Sequence, residues 1–162
     1  MAAILTSAGT LYLAGLIQGS DGLYLAWGRG NPAWDPTPPD PPLEATALVA
    51  EIGRRQVSEV SYAMPDVNGE IVTPEGSYGI SMTPTSLLYF RTSFDLRDGA
   101  GEVIREIGLF VGSERGADVP VAQQYLQPDD VDDPGTLMVL QRIPPVLQSE
   151  AVRAEFDLIL SL

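Results

Sequence analysis

The segment Val103-Ile104-Arg105-Glu106-Ile107-Gly108-Leu109-Phe110 surrounds one charged pair with β-branched and aromatic residues. Such side chains fit a pleated, largely buried surface, so the segment predicts a strand. Gly108 inside it marks a bulge or a close backbone approach. Upstream, residues 86–96 alternate. Leu88, Phe90, Thr92, Phe94 and Leu96 share one face, and Leu87, Tyr89, Arg91, Ser93 and Asp95 share the other. A period of two is the signature of a half-buried strand. Asp98-Gly99 lies between the two runs and predicts that they form a β-hairpin.

Outward from this pair, residues 2–17 predict a short helix, with a strand at residues 10–16 as the alternative. Residues 23–27 read as a buried strand ending at Gly28, after a turn cluster at 19–22. Residues 31–42 hold six prolines, which predicts an extended surface connector. Pro42 suits a first helical position, and Leu43, Ala47, Leu48, Ala50 and Ile52 then predict a helix up to Gly53. Strands are expected at 57–63, 121–126 and 136–143, the last stopped by Pro144-Pro145. Asn68-Gly69 predicts a hairpin turn before Ile71-Val72, and residues 127–135 a solvated loop. Val152, Ala154, Phe156, Leu158 and Leu160 alternate as a terminal strand. The expected architecture is α+β: short N-terminal helices and a mostly antiparallel sheet in one domain over residues 1–162.

Composition narrows the function. The chain has 162 residues and no cysteine, so thiolate chemistry and disulfides are absent. It has no histidine, which removes the commonest general base and the commonest neutral metal ligand. Twenty-two acids face nine bases, all arginine, for a net charge of −13. That balance repels phosphate backbones, so no nucleic-acid partner is expected. Codon usage accounts for the lack of lysine; bidentate arginine pairing is the second reading. The first 17 residues are too short and too interrupted for a membrane span, and no membrane partner is expected.

No motif for catalysis stands out. Gly28-Arg29-Gly30 follows a strand, yet Ala33 occupies the place of a third fingerprint glycine and prolines prevent a helix from starting there. The pair reads as turn glycines. Asp129, Asp130, Asp132 and Asp133 lack the spacing and the bidentate glutamate of a calcium loop, so they read as solvated surface. Glu102 with Glu106, or Glu150 with Glu155, are the available carboxylate pairs, and nothing places either in a pocket. A serine nucleophile lacks both His and Lys as a base. No enzyme activity, cofactor or metal is expected. Trp27, within an apolar run, reads as core. Trp34, beside the prolines, reads equally as core or as an aromatic for a partner.

Several stretches, in order, resemble the N-terminal domain of phage tail-collar and tail-fibre proteins. Ile104-Arg105-Glu106-Ile107-Gly108-Leu109-Phe110 is similar to that family's signature. The run 23–30 with Asn31-Pro32-Ala33-Trp34-Asp35 resembles its early strand and turn. Leu48-Val49-Ala50-Glu51-Ile52-Gly53-Arg54 resembles a short helix, and Gln148-Ser149-Glu150 a polar element before the last strand. The resemblance implies a structural protein of the virion tail or baseplate, synthesised in the host cytoplasm, that connects tail fibres to the tail machinery. Its implied partners are other baseplate proteins and a tail-fibre chain, in several symmetric copies. Family members continue into a fibre shaft, whereas this sequence stops at Leu162, which points to an adaptor. Trp34, Arg105, Glu106 and Phe110 are the expected interface and structurally critical residues. The alternative is a receptor- or carbohydrate-binding module of a tail tip.

Overall fold

A computed structural model describes residues 2–162. Its elements are α1 (Ser7–Gln18), β1 (Tyr24–Gly28), a 3-10 turn (Pro32–Trp34), β2 (Glu51–Gln56), β3 (Glu59–Pro65), β4 (Ile71–Thr73), β5 (Gly76–Ser81) and β6 (Leu87–Phe94). There follow β7 (Val103–Val111), β8 (Glu114–Arg115), β9 (Tyr125–Leu126), a second 3-10 turn (Pro128–Asp130), β10 (Val131–Asp133), β11 (Thr136–Leu147) and β12 (Ala154–Ser161). Antiparallel sheets with one helix among the described residues make this the mostly-β form of the α+β class. No described helix is long and apolar enough to cross a membrane.

The chain divides into two compact units. Unit 1 takes residues up to 20, 58–92 and 156–162; unit 2 takes 21–57 and 93–155. In unit 1, α1 starts where the Thr6 hydroxyl accepts the Gly9 N–H at 3.1 Å, an N-cap that satisfies one free donor of the first turn. The sheet here runs in the order β12-β6-β3-β5-β4. Ala63, Ile71 and Tyr89 are buried at its centre, with Tyr78, Leu87 and Ile159 packed against them.

Unit 2 is built on the order β11-β7-β1-β2-β9. β1 is buried along its whole length, as a central strand covered on both faces must be. Its Ala26 packs with Leu48 and Phe110. Its Trp27 stacks on Phe94 at 3.6 Å between ring centroids, and the indole N–H donates to the Tyr125 hydroxyl at 3.1 Å. Trp27 is core, as its apolar setting predicts.

One face of β6 is buried as expected, with Leu88, Phe90, Thr92 and Phe94 inside and Leu96 exposed beyond the strand, but the alternation breaks at Tyr89, which is buried on the other face. Other expectations need correction. β6 and β7 do not form a hairpin, because β6 pairs with β3 and β7 with β1 and β11. Asn68-Gly69 does not join paired strands either; β5 lies between β3 and β4. The helix expected over 43–53 is absent. Glu51–Gln56 is strand β2 instead, since pairing with β1 gives every residue but Ile52, at a register shift, a ladder partner and outweighs a local spacing. Pro144-Pro145 does not stop β11, which continues to Leu147. The register shifts between Arg142 and Val146 and, on an edge strand, the missing donors cost nothing. The aspartate loop contains the second 3-10 turn and β10, which pairs with β8. Gly108 marks a close approach: β7 keeps its register with Ala26 there, and a Cβ would meet Leu48 and Leu137 at 2.8 Å.

Candidate functional site

The distinctive surface of unit 2 is the proline connector and the arginines that fasten it. Asn31 caps the 3-10 turn by accepting the Ala33 N–H at 2.9 Å. The turn sets Trp34, half-buried, over Gly30, whose φ of +56° and lack of a Cβ make room for the indole; a Cβ would meet its ring at 2.5 Å. Asp35 follows, and the Asp35–Pro36 peptide is cis.

Arg105, in β7, grips Asp35 with two parallel bonds of 2.8 Å each, and its third nitrogen donates to the Arg29 carbonyl at 3.2 Å. This bidentate fork sets geometry as well as energy. The guanidinium beside it holds the Asp35 carboxyl below its usual range, and the carboxylate raises Arg105 in turn. Arg142, in β11, lies 4.1 Å above the Trp34 ring. It also donates to the carbonyls of Asp40 at 3.0 Å and Pro39 at 3.2 Å. Two strands therefore fix both ends of the connector, and the segment between has a stiff backbone. At its far end Leu43 is 99% exposed. Beside it, Pro41, Pro42 and Ala45 form a shallow groove with Leu137, Met138 and Leu140.

Of the four residues expected at an interface, Trp34 and Arg105 come together here. Glu106 and Phe110 lie in the interior. Glu106 Oε1 accepts the N–H groups of Val49 at 2.7 Å and Ala50 at 3.3 Å, so the carboxylate ties the residues just before β2 to the sheet. Its Oε2 is buried without a hydrogen-bond partner. Phe110 carries the Arg54 guanidinium 4.2 Å above its ring. Arg54 is itself buried, and donates to Glu51 twice at 2.8 Å, and to Ser113 and the Pro134 carbonyl at 2.8 Å each.

The carboxylate pair Glu102 and Glu106 does not converge on a site: Glu102 is committed to Arg29, whose fork bonds it at 2.7 and 2.5 Å and lowers its pKa. Asp130 and Asp133 cap turns, accepting from Gln127 and Gly135 backbone N–H groups at 2.9 and 2.8 Å.

Sequence reasoning missed Asp35, Arg142 and Leu43. Arg142 lies 103 residues from Pro39, and no local pattern marks it. Leu43 falls on the helical spacing that runs to Ile52. An apolar side chain directly after a proline run is the signal that pointed to it.

The whole described chain, residues 2–162, matches the family model for the baseplate wedge 3 tail fiber network component. No curated protein matches the chain.

Proposed function

Since this chain belongs to the baseplate wedge 3 tail fiber network component family, a structural component of the virion tail, we propose that its connector is the ledge on which a tail-fibre chain docks. The observation that carries this reading is the fully exposed Leu43 at the end of a segment held by Arg105 and Arg142. A docking element that is already ordered loses little conformational freedom on binding. Proline-rich segments present their rings and carbonyls in a fixed array, which suits an aromatic-lined groove on the partner. Glu106 and Phe110 act behind the ledge, as supports rather than contacts.

The test places a photo-crosslinking residue at Leu43 in assembled virions, with Val121 as the control, which is also strongly exposed in unit 2. Docking at the ledge predicts a crosslink from position 43 to a fibre chain and none from 121. Crosslinks at 43 only to a non-fibre baseplate protein reject fibre attachment. Loss of saccharide binding on substitution of Leu43 would favour the receptor-binding alternative.

A further inference from the structure

Each five-stranded sheet ends in two edge strands, and among the described residues three of these four edges are blunted. β4 has three residues and β9 two. β11 is interrupted by register shifts after Leu137 and Arg142 and carries Pro144-Pro145. Short strands, bulges and prolines keep an edge from pairing with another chain. β12 has none of them. It runs for eight residues without proline or glycine. Its register against β6 is unbroken: Ser93 donates to Glu155 at 3.0 Å, Arg91 to Asp157 at 3.0 Å, and the Leu162 N–H to the Ser86 carbonyl at 3.0 Å. Phe156, Leu158 and Leu160, which share one face, are each only half-buried.

That register also fixes which backbone groups face outward. The bonding side alternates along an antiparallel strand. The Leu162 N–H turns to β6, and Leu160 and Leu158 turn the same way. Asp157, Ile159 and Ser161 therefore direct their N–H and C=O groups away from the sheet.

The occupant follows from the self-complementarity of this edge. A two-fold axis pairs a strand antiparallel with its own copy. Keeping the apolar face of both copies on one side requires the axis to pass through a residue, since a one-residue slip exchanges the faces. An axis at Asp157 sets that carboxylate against its own copy, and an axis at Phe156 sets it against Glu155. Like charges directly opposite are destabilising. An axis at Leu158 avoids both: Phe156 faces Leu160, Glu155 faces Ser161, and Asp157 and Ile159 exchange their outward backbone bonds. An axis at Ile159 leaves fewer residues of β12 paired. In a chain of net charge −13, the Leu158 register brings two copies together with no carboxylates opposed along the seam.

We propose that two copies of this chain join their sheets through β12, antiparallel about a two-fold axis at Leu158. This goes beyond the docking of a fibre and is measured on the purified chain, so each reading can fail without the other.

Light scattering after size exclusion of the full chain should give a dimer. The chain contains no cysteine, so single cysteines report the register. Leu158 faces its own copy at a non-hydrogen-bonded pair, where the Cα atoms are about 4.5 Å apart, within reach of a disulfide. Leu158→Cys should form an interchain disulfide on oxidation. Leu160→Cys, whose copy lies more than about 13 Å away along the strand, should not. Ser161→Glu places a carboxylate opposite Glu155 and should raise the dimer dissociation constant about fivefold, whereas Ser161→Arg should lower it by a similar factor. A wild-type monomer, crosslinking no faster at 158 than at 160, or a response of the same sign to both charges at 161 overturns the proposal.

Discussion

The sheet of unit 2 is fastened by arginines, whereas that of unit 1 relies on apolar packing and on Asp157, a carboxylate that ties β12 to β6. In unit 2, Arg54, Arg105, Arg115 and Arg142 all donate to loop carbonyls, Arg115 to three of them, those of Pro120, Val121 and Gln123. In unit 1, Asp157 accepts from the Tyr89 hydroxyl at 2.7 Å and from Arg91 at 3.0 Å. The difference follows loop length. Unit 2 has long irregular segments at 29–50 and 116–124, while unit 1 turns tightly between β3, β4, β5 and β6. A long segment without a ladder leaves its carbonyls to be satisfied by side chains. Guanidinium, with five donors in a rigid fork, reaches several at once; an ammonium does not. The chain's exclusive use of arginine fits that task.

The largest effect is expected at Arg54. Arg54→Ala removes a buried cation with four acceptor bonds and leaves Glu51 uncompensated, at an expected cost of about 3–5 kcal/mol. Both tryptophans lie in unit 2, so urea unfolding followed by their fluorescence reads that unit directly. A midpoint near that of the wild type would show that the arginine fastening contributes little. Glu106→Ala comes next. It strands the N–H groups of Val49 and Ala50, and the same measurement should show a loss of about 1–3 kcal/mol.

In unit 1 the corresponding change is small. Tyr89→Phe removes one hydroxyl donor to Asp157, and amide exchange in β3 and β6 should report about 1 kcal/mol. Burial first, and the bond to Asp157 second, push the Tyr89 phenol well above its ordinary pKa, so this bond is unaffected by pH through the neutral range.

How much of this was visible in the sequence depends on how local the cause is. Leu88, Phe90, Thr92 and Phe94 announced β6 because a half-buried face is written every second residue. Its partners were not announced, since pairing is decided by chain segments far apart: β6 lies between β12 and β3, and β7 between β1 and β11. Leu43 through Ile52 mimicked a helix because apolar residues at near-helical spacing also arise where a coil meets a strand. Trp34, an aromatic among prolines, and Arg105, a charge in a strand, were singled out by the sequence, and both lie at the connector. Asp35 and Arg142 were not, because their roles exist only once distant strands bring them to the connector.

The smallest effect sharpens the contrast by pH. Asp35 and Glu102 are held below their usual range by Arg105 and Arg29. A depressed folded pKa means that the stabilisation is complete above the unfolded value of about 4 and is lost as the pH falls through the folded one. The urea midpoint of unit 2 should therefore drop between about pH 5 and pH 3. Asp35→Asn should lower it at neutral pH and shrink the acid-induced drop; an unchanged drop would assign the acid sensitivity to other carboxylates.

The most direct test of the docking ledge is the number of fibres per particle, counted by electron microscopy on virions carrying Leu43→Asp. Intact tails with few or no fibres are expected, and normal fibre numbers with the control substitution Val121→Asp. Full fibre occupancy on Leu43→Asp particles would contradict it.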